Sequence, residues 1–360
     1  MKFNLRSPTK DDELDKLHAF DFTKMSAVNT CPTWGIIRYG HHKVFSTSSR
    51  AMALEAGSAC HEVFAAARCF DLIFNFRKAY PDQDEGNVRS LVRQRAVNMF
   101  GEARTVEFFK ELDSTEDERT KILRSGLSIL NSGAFYDDPA DKRRTMSNLE
   151  EACVAYLDRL EFGRNIPFLQ GDYVGIETPI NLIIEYETDD GISRTVRFVG
   201  RIDGVHCHRN DPSSPFVEEN KTASRLGDAW EQSFEMSHQV TGYLAAAATI
   251  IGIPLSMGRV RGLCIPQPRL YDTNGVSTVT VFRKQHQFTE WAKWVVHTVE
   301  MFMAHYDDPT NAPKYTHSCN RYFRPCSYIP LCASPPDERV EMFNEMFDDE
   351  WSPLHEKAND

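Results

Sequence analysis

The sequence predicts an α/β protein whose small central mixed sheet is largely antiparallel and flanked by helices. Three observations carry this reading. Apolar residues recur at helical spacing from about residue 48 to residue 162. At Gly171 the texture changes to alternating apolar and polar residues rich in β-branched types. Helical periodicity then returns over 228–251 and 288–305, between further strand-like runs.

In chain order, Met25–Tyr39 reads as a short helical stretch with Ser26 as N-cap, and Cys31-Pro32 falls just before the apolar group Trp34, Ile36, Ile37. Over Ser48–Phe76 a stripe of Met52, Leu54, Val63, Phe64 and Phe70 predicts a helix. Several more follow over 84–162, marked by Val88, Leu91, Val97 and Phe100, then Ile122, Leu127 and Leu130, then Leu149, Val154, Leu157 and Leu160. Pro81, Gly86, Gly133 and Pro139 punctuate them. Tyr173–Glu187 and Thr195–Cys207 read as antiparallel strands, and a turn at Asn210–Pro215 leads into a strand over Phe216–Lys221. A long helix is expected over Asp228–Ile251, ended by Gly252 and Pro254. Strands over Arg259–Ile265 and Val276–Phe282 precede a last helix over Phe288–His305.

A net charge of −11 argues against a protein that coats nucleic acid through bulk positive charge. Much of the acid is confined to Asp11–Asp15, Asp82–Glu85 and Asp337–Asp360, so local basic contacts stay open. The longest apolar run, Leu244–Ile253 with its flanks, falls short of the roughly 20 residues a bilayer span requires. Lys2, Arg6 and Lys10 lead into an acidic stretch with no apolar signal segment. The expected location is cytoplasmic, or an intracellular host compartment for a viral source, with no membrane partner.

The chemistry concentrates where strands end. Gly200-Arg201-Ile202-Asp203 closes one expected strand and Glu219-Asn220-Lys221 the next. Residues two apart on a strand share a face, so Glu219 and Lys221 project together, and in a hairpin Asp203 can face them. Glu218 competes with Glu219, and the two-residue spacing to Lys221 favours Glu219. Two carboxylates beside an amine suit phosphodiester cleavage: a cation held by the acids neutralises developing charge and acidifies water, and the lysine orients the attacking water. Alone, the same residues also describe a solvated hairpin edge with a Glu–Lys pair.

Taken together, Gly200-Arg201-Ile202-Asp203, Val217-Glu218-Glu219-Asn220-Lys221-Thr222 and Gln239-x-x-x-Tyr243 resemble the RecB-like branch of the PD-(D/E)XK nuclease superfamily. Gly57-x-x-x-His61 resembles the helix-borne histidine upstream in that branch. The resemblance implies a restriction-endonuclease-like core with a large N-terminal helical insertion. It implies Mg2+ or Mn2+ on His61, Asp203, Glu219 and the main-chain carbonyl of Asn220, with Glu177 as a further carboxylate. Lys221 would activate water, and Gln239 and Tyr243 would brace the site and meet DNA. On this reading 1–25 is an arm and 26–335 one nuclease domain, with a helical wall at 48–165, a catalytic core at 171–305 and a cysteine segment at 313–335. An acidic tail fills 336–360.

Nine cysteines, an odd number, fit a disulfide framework poorly. Cys60, Cys69, Cys153, Cys207 and Cys264 sit singly in apolar or mixed segments, as buried thiols do. Cys319, Cys326 and Cys332 crowd one Pro- and aromatic-rich stretch. One cysteine before the core and three after it is also the layout of RecB-like nucleases that carry an iron–sulfur cluster. That resemblance implies a 4Fe–4S cluster on Cys31, Cys319, Cys326 and Cys332, a staple with a structural role. Structural zinc is the alternative, with His317 or His41 joining the three late cysteines; no closely spaced C-x2-C pair is present.

The expected activity is that of a metal-dependent deoxyribonuclease, an exonuclease acting on single-stranded or end-bearing DNA in repair or recombination. Arg38, Arg89, Arg93 and Arg95 are candidate backbone contacts. No G-x-x-x-x-G-K-[ST] loop is present, so recruitment by a replication or recombination partner is a natural arrangement. The competing class is a non-catalytic nucleic-acid-binding or scaffold module that retains the same fold.

Overall fold

The structure, a computed structural model, describes residues 1–45, 52–265, 275–321 and 324–348. Strands β1 (Lys2–Arg6) and β2 (Ala19–Phe20) precede helices α1 (Phe22–Thr30) and α2 (Pro32–Gly40), then β3 (Lys43–Val44). Five helices follow: α3 (Met52–Asn75), α4 (Glu85–Phe100), α5 (Glu102–Lys110), α6 (Glu118–Asn131) and α7 (Met146–Asp158). The strands then come in a run: β4 (Asn165–Pro167), β5 (Leu169–Gln170), β6 (Tyr173–Val174), β7 (Ile176–Glu187), β8 (Ser193–His208) and β9 (Asp211–Ala223). Next are α8 (Asp228–Gln232), α9 (His238–Ile251), β10 (Met257–Cys264), β11 (Val276–Phe282) and α10 (Gln285–His305). The last elements are β12 (Asn320–Arg321), β13 (Arg324–Pro325), α11 (Ile329–Ala333), α12 (Pro336–Asn344) and β14 (Phe347–Asp348).

The expected α/β class with a mixed sheet and flanking helices is what the chain adopts, and several boundaries move for local reasons. Asp21, not Ser26, starts the first helix: its carboxylate accepts the Lys24 N–H at 2.7 Å. Cys31 is extended and ends α1, and Pro32 opens α2 at the position where a missing N–H costs nothing. Gly86 lies inside α4, whose start is capped by Asp84; the break falls at Gly101, whose φ of 79° suits only glycine well. The helix expected over 228–251 is two helices, because Ser237 caps Val240 N–H and starts α9 afresh. The turn placed at Asn210–Pro215 is shorter, and β9 already begins at Asp211. Short strands β1, β2 and β4 escaped the sequence reading. Residues 48–51 of the expected helix over 48–76 lie outside the described residues, as do 322–323 of the cysteine segment and 349–360 of the acidic tail.

The chain forms two compact units, one from Met1–Ser49, Ile180–Gly200 and Gln285–Asp360, the other from Arg50–Pro179 and Arg201–Lys284. In the first, β1 runs antiparallel to β7 (Phe3 opposite Tyr186), and β2 runs parallel to β8. Residues 1–25, expected as an arm, thus contribute two strands and the start of α1. Helix α10 presents Trp291, Val295, Val299 and Phe302 at helical spacing to this unit's core. Phe302 meets Phe20 edge-on at 5.0 Å, and Trp291 meets Phe3 at 5.7 Å.

In the second unit β9 is the central strand. It pairs antiparallel with β8 (Gly204 opposite Glu218) and parallel with β10 (Val260 opposite Glu219), and β10 pairs antiparallel with β11. Residues 215–220 are all buried, as expected of a strand covered on both faces. Helix α3 is the spine of the helical layer and packs on α4, α6 and α7. Its Phe64, Ala66, Phe70 and Leu72 are buried, and each large apolar side chain removed from water contributes roughly 1.5–3 kcal/mol. No helix among the described residues is long and apolar enough to cross a membrane.

Candidate metal centre

The pleat of β9 sorts two consecutive carboxylates onto opposite faces. Glu218 points to one side, where Arg68 Nη2 donates to it at 2.6 Å and Arg261 Nε at 3.0 Å, with His206 Nδ1 3.2 Å away. Against the effect of burial, the Arg68 and Arg261 guanidinium groups hold the Glu218 carboxyl well below the usual range. Arg68 also donates to Asp71 at 2.9 Å. Tyr156 donates its hydroxyl to Asn220 Oδ1. Glu218 is therefore fully engaged in this network.

Glu219 projects to the other face with Lys221, whose Nζ donates to Glu219 Oε1 at 2.5 Å. Asp203, from β8, accepts the Asn220 main-chain N–H on Oδ2 at 2.6 Å, and its Oδ1 lies 3.1 Å from His61 Nδ1. In an extended strand a residue's N–H and C=O leave on the same side, so the Asn220 carbonyl faces Asp203's side too. His61 reaches the strands from α3 because Gly57, one turn earlier, lets that helix approach β9: a Cβ there would lie 3.2 Å from Thr222 Oγ1.

Glu177 completes the group and is more central than its sequence position suggested. Ligand atoms of His61, Glu177 and Asp203 all lie within 4.8 Å of one another, a trio that does not include Glu219. Glu177 adopts a φ of 46°, unusual for a side-chain-bearing residue. Arg95 holds that conformation, donating Nε to the Ile176 carbonyl at 2.6 Å and Nη2 to the Glu177 carbonyl. Arg201 Nη1 lies 3.6 Å from Glu177 Oε2.

The electrostatics are those of crowded acids. Burial and then Asp203 push Glu177 up to about 8 and Glu219 up to about 7. Asp203 stays below its usual value: burial opposes this, but His61 and Lys221 outweigh it. Burial lowers the His61 pKa, yet Asp203 overrides it and brings the ring to about 9. Burial likewise opposes the raised pKa of Lys221, which Glu219 and Asp203 produce. Glu219 Oε2 is buried without a hydrogen-bond partner. His61, Glu177 and Asp203 are a donor set suited to a hard divalent cation, and Glu219 adds a buried carboxylate oxygen without a partner.

Of the other sequence candidates, Gln239 donates its amide to the Tyr243 hydroxyl at 3.0 Å on α9, which packs on β9 and β10. Arg89 pairs with Glu85 at 3.1 Å and Arg93 with Glu102 at 2.7 Å. Arg95 is turned inward on the Glu177 backbone, so its guanidinium serves the site's geometry and is not offered to solvent as a backbone contact. Arg38 sits in the other unit, its guanidinium carbon 5.9 Å from the Tyr39 ring. Sequence reasoning missed Arg68, Arg95's inward role, His206 and Arg261, which no motif spacing marks.

In the first unit Cys31, Cys319, Cys326 and Cys332 come close enough for their charges to act on one another. Cys326 N–H donates to the Cys319 carbonyl at 2.7 Å, and Thr33, two residues after Cys31, donates to the Ala312 carbonyl at 2.8 Å. Burial first and the neighbouring thiols next raise Cys332 to about 11. The sequence-distant segments thus meet in space. Cys60 and Cys153, in the second unit, are buried with their sulfurs 3.8 Å apart.

Fold and site define an α/β protein with a histidine–carboxylate cluster able to hold a metal ion and a neighbouring lysine on its central strand. Neither a protein-family model nor a curated protein matches the chain.

Proposed function

We propose that this protein is a metal-dependent deoxyribonuclease with a RecB-like catalytic core into which the helical segment is inserted. The observation that carries the reading is the meeting of His61, Glu177, Asp203, Glu219 and Lys221, with Glu219 Oε2 left without a partner. His61, Glu177, Asp203 and Glu219, with the Asn220 carbonyl, would hold Mg2+ or Mn2+. When bound, the cation supplies positive charge for the anionic phosphate centre and acidity for water. Lys221, anchored by Glu219, orients the attacking water and donates hydrogen-bond character as negative charge builds. Gln239 and Tyr243 brace the strand from α9.

The substrate of this reading is DNA that is single-stranded or has free ends, cut by exonuclease action, with recruitment by a replication or recombination partner. In the first unit Cys31, Cys319, Cys326 and Cys332 carry a 4Fe–4S cluster that staples the early and late segments; zinc is the alternative occupant.

The test incubates labelled single- and double-stranded DNA with the protein and Mg2+ or Mn2+. Cleavage by the wild type is expected, falling about 10²–10⁴-fold in Lys221→Ala while Mn2+ still binds. No cleavage by the wild type under any condition, or undiminished cleavage by Lys221→Ala, overturns the proposal.

A further inference from the structure

The second unit holds another set of cations, beside the C-terminal ends of its two parallel strands. After Lys221, strand β9 runs on through Thr222 and Ala223, which pair with Leu263 and Cys264 of β10, to the exposed Ser224 and Arg225. The 141–144 loop between α6 and α7 closes over this end. Arg143 Nη2 donates to the Ser224 carbonyl at 3.3 Å, which ties the loop to the chain three residues beyond Lys221. The loop itself is built: Asp141 Oδ1 accepts the N–H groups of Arg143 and Arg144 at 3.0 and 3.1 Å, and Asn148 donates to the Arg143 carbonyl at 2.9 Å.

Three residues here stand out by their uncompensated charge. Arg144 is neutralised by Asp141 at 2.7 Å. Lys142, Arg143 and Arg225 have no carboxylate partner among the described residues, and Arg143 Nε is buried with no acceptor. Arg143 thus keeps one guanidinium N–H on the Ser224 carbonyl, and its charge meets no carboxylate among the described residues. Arg89 and Arg93, by contrast, each already face a glutamate. In a chain of net charge −11, cations without carboxylate partners at the end of the strand that carries Glu219 and Lys221 suit an external anion.

We infer that Lys142, Arg143 and Arg225 grip the phosphodiester backbone of the DNA strand being cut, just beyond Lys221. This rests on the nuclease reading and adds to it the place where substrate enters. Arg143 supplies a planar guanidinium of fixed orientation, suited to a phosphate, and the exposed Lys142 and Arg225 supply charge on either side. Such contacts position a strand without reading its sequence.

The test measures binding of a fluorescent single-stranded oligonucleotide in EDTA, where no cutting occurs, across a salt series. The Arg143→Gln/Arg225→Gln variant is expected to bind about 10–100-fold more weakly at low salt, with a salt slope reduced by roughly 0.7 per lost contact. In the cleavage assay KM rises and kcat holds. Lys16→Gln/Lys110→Gln, at two exposed lysines each paired with a glutamate, is expected to bind as the wild type does. Should Arg143→Gln perturb folding, the exposed Lys142→Glu/Arg225→Glu pair gives the same readout. A wild-type protein that cuts DNA, with variants whose affinity and slope are unchanged, overturns this inference and leaves the nuclease reading standing. A wild type that neither binds nor cuts DNA overturns both.

Discussion

Arg95 donates to the main-chain carbonyl of Glu177 and, at 2.6 Å, to that of Ile176, holding Glu177 at a φ of 46° with its carboxylate beside His61 and Asp203. A left-handed conformation at such a residue costs on the order of 1–2 kcal/mol and persists only where neighbours enforce it. Arg95→Ala is expected to weaken Mn2+ binding about 10–100-fold, the usual effect of losing a group that orients a metal ligand. Titration calorimetry measures it, with Arg95→Lys recovering part of the loss. Wild-type affinity in Arg95→Ala would refute the positioning role.

On the opposite face of β9, Glu218 answers Arg68 and Arg261 in a buried network. Removing one partner leaves buried charge uncompensated, which costs about 3–5 kcal/mol. Glu218→Gln should lose that much in denaturant unfolding while its folded fraction binds Mn2+ normally. A loss of metal affinity with unchanged stability would place Glu218 in the wrong network.

The metal centre gives the protein a pH dependence whose sign follows from its crowding. Glu177 and Glu219 have folded values raised to about 8 and about 7, above 4.5, so in the metal-free protein their contribution is complete below about 4.5 and is lost as pH rises through 7 and 8. His61, raised to about 9, contributes fully below 6.5 and loses that through 9. Ligation needs the deprotonated forms, so a divalent cation restores what high pH removes. The rise in Tm caused by Mg2+ is expected to grow from about pH 6 to about pH 8.5, with proton release on binding. A thermal shift that shrinks over that range would contradict this electrostatic account.

Cysteine variants separate a shared site from ordinary buried thiols. Cys31→Ser and Cys326→Ser are each expected to abolish bound iron and sulfide in anaerobically purified protein, and Cys153→Ser to retain them. Zinc in the wild type, without iron or sulfide, would replace the cluster by a zinc site in which His317 or His41 joins the three late cysteines.

What the sequence made legible was local. Helical stripes such as Met52 to Phe70, the alternation of β7 through β9 and the Glu219–Lys221 spacing are set by periodicities of 3.6 and 2, which a chain displays along its length. The trio of His61, Glu177 and Asp203 is joined across α3, β7 and β8, and only His61 and Asp203 lay in recognisable spacing. Glu177 has no such frame, and Arg95 reaches it through main-chain carbonyls, which a sequence does not mark. The basic residues chosen from the sequence illustrate the same limit. Arg89 and Arg93 look available until Glu85 and Glu102 are placed opposite them, whereas Arg143 looks ordinary until Ser224 is seen beneath it.

The alternation of Glu218 and Glu219 has a consequence for what the hairpin tolerates. A slip of one residue along β9 would put either Val217 before Arg68 and Arg261, leaving their charge buried and unpaired, or Asn220 where Glu219 now stands beside Lys221's present place. The arginine pair on one face and the metal centre on the other thus together accept the strand in a single setting. Insertions or deletions ahead of Phe216 must be absorbed in the Arg209–Asn210 turn or by the irregularity between His206 and His208, where the ladder already admits a change of step.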